Sequence, residues 1–170
     1  MNSDYNIYVA DLAAYNAGIL HGVWIDATQD TDDIQEAIQT MLKASPEAHA
    51  EEWAIHDYDG FGGLGLGEYE SIEHVHQIAV FLEEHDALGK AVLSHWCCDL
   101  EQAVKAMEDD YCGCYASLAD YAQSFTEETS DVPQHLAMYI DYERMGNDMA
   151  VSDVYSVETA FDEIHIFWNR

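Results

Sequence analysis

The sequence predicts an α+β protein assembled from three small modules. Three observations predict it: β-forming runs at both ends, apolar stripes at helical spacing between them, and one composition break, the glycine-rich run at 60–67. The modules are expected at residues 1–61 (α+β), 62–110 (helical) and 111–170 (α+β).

In the first module, Tyr5-Asn6-Ile7-Tyr8-Val9-Ala10-Asp11-Leu12, Val23-Trp24-Ile25 and Trp53-Ala54-Ile55-His56-Asp57-Tyr58 read as strands, rich in β-branched and aromatic residues. Between the last two lies a helix. Ile34, Ala37, Ile38, Met41 and Leu42 repeat at i, i+3, i+4, i+7, i+8, Asp32 and Asp33 suit the positive end of its dipole, and Thr31 is its expected cap. The glycine-rich run Gly60 to Gly67 reads as a linker.

The central module follows from the stripe Ile72, Val75, Ala79, Leu82 and from shorter stripes through Leu88, Val92, Leu93 and Leu100, Val104, Met107. Beyond an expected turn at Cys112-Gly113-Cys114, Tyr115, Leu118, Ala119, Ala122 and Phe125 keep helical spacing. Pro133 suits a helix start, and Leu136, Tyr139 and Ile140 open a further stripe. Val154 to Val157 and Ile164 to Trp168 read as a terminal pair of strands.

Of the 170 residues, 34 are Asp or Glu and only five are Lys or Arg, a formal charge of -29. Lys43, Lys90, Lys105, Arg144 and Arg170 are too few to displace the counterions of a phosphate backbone, so direct nucleic-acid binding is excluded, as is attraction to an anionic membrane surface. Charge of this size suggests disorder, but 49% of residues are apolar and 12% aromatic, which supports a packed core. Met1-Asn2-Ser3-Asp4 begins no signal segment, and no apolar run has the length of a membrane span, so a cytoplasmic protein is expected. The four cysteines follow no disulfide framework and are expected free and largely buried.

Four constellations of residues suggest chemistry, and each has a plainer reading. Asp57-Tyr58-Asp59-Gly60-Phe61-Gly62, with Leu64 and Glu68, matches part of a calcium loop, but Phe61 stands where a ligand oxygen is required and a strand, not a helix, enters it. The glycine run is flanked by Asp57, Asp59, Glu68 and Glu70, whose carboxylates would repel a phosphate. His95, Cys97, Cys98, Cys112 and Cys114 lack the chelate spacing of structural zinc, and on a helix Cys97 and Cys98 would point about 100° apart. No nucleophile is fixed beside a base. The sequence therefore predicts no catalysis, metal or cofactor.

The charge remains to be explained. Ordinary solubility asks for a net charge of roughly 2 to 8 in a small domain, and excess like charge works against compactness. Retaining so much repulsion suits a protein whose field engages a basic cleft that normally holds nucleic acid. At one charge per ~1.7 Å of duplex axis, two copies would carry the charge of at most roughly 100 Å of DNA. The alternative is an acidic calcium-binding or halophilic-type soluble protein with no such target.

Several stretches carry a family resemblance. Ile7-Tyr8-Val9-Ala10, Tyr15 to Asp26, Ile55 to Phe61, Leu118-Ala119-Asp120-Tyr121 running to Pro133, Tyr139 to Glu143, Val157-Glu158-Thr159 and Ile164 to Trp168 together resemble the ArdA antirestriction proteins over essentially the whole chain. The resemblance implies an elongated acidic homodimer, carried by mobile genetic elements, that mimics bent B-form DNA. Such a dimer would occupy the DNA-binding groove of type I restriction-modification enzymes, blocking restriction and often modification. It implies no catalysis. It also places Leu118, Asp120, Tyr121, Phe125 and Pro133 in an antirestriction motif at or near the dimer region.

On that basis the expected phosphate mimics are Asp32, Asp33, Glu36, Glu47, Glu51, Glu70, Glu73, Glu83, Glu84, Asp86, Glu101, Glu108, Asp109, Asp110, Glu127 and Glu128. Helical carboxylates at i, i+3 and i+4 lie about 5 to 6 Å apart, a spacing similar to that of phosphates along a strand. Energy spread over many screened contacts makes any single Glu→Gln change weak.

Overall fold

The computed structural model describes residues 4–170 and is α+β, with two three-stranded antiparallel sheets and seven α-helices among them. Met1, Asn2 and Ser3, on which the reading of the N-terminus rests, lie outside the described residues. The chain divides into two compact units, one ending at Lys90 and one running from Ala91 to Arg170.

In the first unit β1 (Asn6–Asp11) is the central strand, with β2 (Gly22–Asp26) and β3 (Trp53–Asp59) on either side. Register pairs Ile7 with Ile25 and Val9 with both Val23 and Ile55. The ladder to β3 slips between Tyr8 and Val9, which leaves His56 as the extra residue of a bulge. Ile7, Val9, Ile25, Ala54 and Ile55 are buried, as are Ile34, Ile38, Met41 and Leu42 of α2 (Thr31–Lys43), so the helical stripe and the strand faces form one core. Full burial of each large aliphatic side chain contributes roughly 1.5–3 kcal/mol.

Local chemistry differs from the sequence expectation at three places in this unit. A short helix, α1 (Leu12–Asn16), follows β1 directly because Asp11 caps it: Oδ1 accepts from the Ala13 and Ala14 amides at 2.9 and 3.4 Å, and the other oxygen accepts from Ser45 Oγ. These bonds account for a fully buried carboxylate. Thr31 is not the cap of α2; it is the first helical residue, and Asp30 occupies the cap position without a side-chain hydrogen bond. The glycine run is not a spacer. Phe61 and Leu64 are 1% and 6% exposed, and the Ile55 amide donates to the Glu68 carbonyl at 2.9 Å, so the run folds back onto β3. Gly60, at φ +88°, passes so close to the Asp4 carbonyl that a Cβ would lie 1.8 Å from its oxygen.

Helix α3 (Ile72–His95) carries the expected stripe but breaks at Asp86 (φ 47°, ψ -129°). Gly89 permits the tight return, since a Cβ there would meet His85 Cβ at 2.8 Å. The chain enters the second unit within the later part of this helix. Cys97 and Cys98 then sit in a turn with left-handed φ values of 53° and 67°, not on a helix as expected.

The second unit continues with α4 (Leu100–Lys105), which widens into one π-helical turn, Ala106–Asp110. The expected turn at the cysteines is instead a strand, β4 (Tyr111–Tyr115), held by pairing with β6 (Glu163–Trp168), which also pairs with β5 (Val154–Ala160). Tyr121 and Ala122 of α5 (Leu118–Thr129) and Met149 of α7 (Tyr142–Ser152) join Val154 and Ile166 in the core. Gly146 lets the two helices touch: a Cβ would lie 2.5 Å from the Leu118 carbonyl oxygen. The stripe expected from Pro133 onward is only the four-residue α6 (Gln134–Ala137), with Leu136 and Tyr139 exposed rather than packed.

Candidate partner-binding surface

Of the 34 acidic residues, only Asp11 and Asp110 are buried. Among the described residues, ion pairs from Lys or Arg reach just two carboxylates, Asp148 from Arg144 at 4.0 Å and Asp110 from Arg170 at 3.6 Å. Lys43 and Lys105 stand exposed, and Lys90 lies 5.4 Å from the centre of the Tyr5 ring. The negative surface is therefore almost uncompensated.

In the first unit Asp32, Asp33 and Glu36 are exposed on α2, away from the buried Ile34 and Ile38. Asp32 with Glu36, and Asp33 with Glu36, have the i+4 and i+3 relations that bring carboxylates within about 5–6 Å. Glu51, Glu73, Glu83, Glu84 and Asp86 are also exposed, while Glu47 and Glu70 are half-buried. Asp86 is the break in α3 and Glu83 lies three residues before it; their charge is felt by Tyr5, whose phenol is pushed up chiefly by burial and then by Asp86, Asp4 and Glu83.

In the second unit Glu101, Glu108, Asp109, Glu127 and Glu128 are exposed. Glu127 accepts from Gln123 Nε2 at 2.8 Å and Glu128 from Ser124 Oγ at 3.2 Å, which hold both carboxylates against the last turn of α5. That end of a helix carries the negative end of the dipole, where an acid costs about 0.3–1 kcal/mol. Here surface charge is kept at the expense of stability. Asp110 departs from the expected outward array. It is 6% exposed, because the π-helical turn rotates it inward toward the Arg170 guanidinium, and it cannot face a partner.

The segment from Leu118 to Pro133 is double-sided. Ser117 Oγ accepts from the Asp120 amide at 3.1 Å and donates to its Oδ2 at 2.6 Å, a reciprocal cap that starts α5 and keeps Asp120 exposed. Tyr121 is buried, Leu118 and Phe125 are half-buried, and Phe125 meets the Trp168 ring edge-on at 5.9 Å. Burial pushes the Tyr121 phenol up, and the neighbour its hydroxyl meets is the weakly accepting Cys112 thiol. The Cys112 thiol beside it is also pushed up by burial. These aromatic side chains build the core, whereas Pro133 and the following Leu136, Met138 and Tyr139 are exposed, the last two at 80% and 78%.

The metal-like constellations resolve differently from their sequence spacing. Asp57 and Asp59 accept from the Tyr58 and Gly60 amides, at 2.8 and 2.9 Å, and Phe61 is buried, so the calcium-loop pattern is a strand end and its turn. The cysteines are free, but not largely buried: Cys97 and Cys114 are exposed and Cys98 and Cys112 half-buried. They do not converge. Cys114 instead stands with Glu163 and His165, opposite it on the neighbouring strand. No helix among the described residues is long and apolar enough to cross a membrane.

Compared with known proteins, residues 7–163 match the family described as Antirestriction protein (ArdA). No curated protein matches the chain.

Proposed function

Because this chain belongs to the ArdA family of antirestriction proteins, a non-catalytic family that acts on restriction-modification enzymes, we propose that it does so by presenting carboxylates where a DNA-binding groove expects phosphates. The observation that carries this reading is the uncompensated surface: nearly every acid faces solvent and two are reached by a Lys or Arg. A cationic groove built for counterion release on duplex DNA gains the same electrostatic free energy from such a surface.

The proposed target is the methyltransferase core of a type I restriction-modification enzyme in the cytoplasm, with both cleavage and modification blocked. The proposed mimics are the exposed and half-buried carboxylates named above, without Asp110. A homodimer would double the length of the decoy and raise the effective concentration of its second half. Leu136, Met138 and Tyr139, exposed directly after the Leu118 to Pro133 segment, supply an apolar face for that association.

Cleavage of substrate DNA by a type I enzyme, with and without the protein and in the presence of a calcium chelator, tests the reading. Loss of cleavage supports it. Unimpaired cleavage, or inhibition that vanishes when calcium is chelated, favours the acidic calcium-binding alternative.

A further inference from the structure

We propose that Cys114, Glu163 and His165 form a binding site for a thiophilic divalent cation of the zinc class. Cys114 lies far from the other two in sequence, but the β4–β6 ladder sets it directly opposite His165, and Glu163 precedes His165 by two residues on the same face. One ligand atom from each, the thiol sulfur, a carboxylate oxygen and a ring nitrogen, lie within 4.8 Å of one another. Glu163 Oε1 is 3.5 Å from His165 Nε2. Tetrahedral zinc with bonds of about 2.0–2.3 Å separates neighbouring ligand atoms by roughly 3.3–3.8 Å, so the trio needs only small side-chain movement to close on an ion.

The surroundings prepare the histidine for this role. Tyr111 Oη lies 2.8 Å from His165 Nδ1, and Nε2 faces the Glu163 carboxylate. Coordination uses the tautomer in which Nδ1–H donates to the phenol oxygen and Nε2 offers its lone pair, an outer partner fixing the ligating imidazole. Thr159 Oγ1 donates to Glu163 Oε1 at 2.8 Å and lies 3.1 Å from Nε2, so its hydroxyl links the two side chains and would give up the ring contact when Nε2 ligates. A thiolate, an imidazole and a carboxylate together select zinc or cobalt over calcium or magnesium, which take oxygen ligands. Cys114 and Glu163 are exposed while His165 is buried, so an ion can enter from solvent without opening the fold, and the protein's field concentrates cations there.

The bound ion would fasten the edge strand β4 to β6, independently of any restriction enzyme. Local chelate spacing predicts no metal in this chain, whereas the trio is completed only by the strand pairing that brings Cys114 opposite His165.

Cobalt(II) titration of the reduced full-length protein tests the proposal. We expect saturation at one equivalent with a thiolate-to-cobalt charge-transfer band, displacement of that band by zinc, and a zinc-dependent rise in melting temperature. Cys114→Ser should abolish the band and weaken zinc binding by more than about tenfold, the loss associated with even an outer-shell partner. Glu163→Gln, at an exposed position, should weaken binding with the band retained, and the double variant Cys97→Ser/Cys98→Ser should bind like the parent. Absence of saturable binding, or a band that survives Cys114→Ser, overturns the site.

Discussion

The Arg170 guanidinium lies 3.6 Å from the buried Asp110 carboxylate and spans the second unit from its C-terminal residue to the end of its π-helical turn. In a protein with five cationic side chains, one of them is committed to an internal charge. Removing one partner of a buried pair leaves the other desolvated and alone. Arg170→Ala should therefore destabilise the protein by about 1–3 kcal/mol, the lower range because the arginine is itself largely exposed, and Asp110→Asn in that background should restore most of the loss. Urea unfolding of the two single variants and the double variant measures this, and strictly additive effects would show that the two side chains do not interact.

The packed glycine loop makes a second, position-specific prediction. Gly60→Ala combines a left-handed backbone with a Cβ driven into the Asp4 carbonyl, so it should cost more than about 2 kcal/mol. Gly65 has open space around it and no such backbone constraint, so Gly65→Ala should leave the melting temperature within about a degree or two or raise it slightly. Equal tolerance at both positions would mean that the run behaves as a linker after all.

Tyr121 links stability to alkaline pH. Its phenol, like those of Tyr5 and Tyr155, is pushed up by burial, so the folded state keeps protons that the unfolded state releases near pH 10. With more protons bound when folded, stability falls as pH rises beyond that point. Tyr121→Phe should flatten this fall. At neutral pH the same change removes a buried hydroxyl whose neighbour is only the weak Cys112 thiol, and should be neutral or stabilising by up to about 1 kcal/mol. Denaturation at pH 7 and above pH 10 checks both signs.

The uncompensated surface predicts a salt response. Screening shortens the reach of charge to about 10 Å at 0.1 M and about 3 Å at 1 M ionic strength, which relieves repulsion among the exposed acids. The melting temperature should climb as sodium chloride is raised, most steeply at the low end. A melting temperature insensitive to salt would mean that the carboxylates are already neutralised.

Much of this architecture is legible in the sequence where periodicity is strong. The stripe through Ile34, Ile38 and Met41 gives α2, and the β-branched runs give five of the six strands. Strand β4 was not legible because Cys112-Gly113-Cys114 has weak strand preference; pairing with β6 decides it. The glycine loop misled because composition does not reveal that Phe61 and Leu64 anchor it. Helix periodicity gave the exposure of Asp32, Asp33 and Glu36, but not the inward turn of Asp110, which depends on the π-helical turn and on Arg170, sixty residues away in the chain. For the same reason the meeting of Cys114 with His165 leaves no mark in local spacing.

The most direct test of the central claim is equilibrium competition between this protein and duplex DNA for a purified type I methyltransferase, repeated across a range of salt. If surface carboxylates stand in for phosphates, the two ligands displace one another, and affinity for the protein falls steeply as salt rises, as it does for DNA. A ternary complex holding both ligands on the methyltransferase, with affinity indifferent to salt, would contradict it.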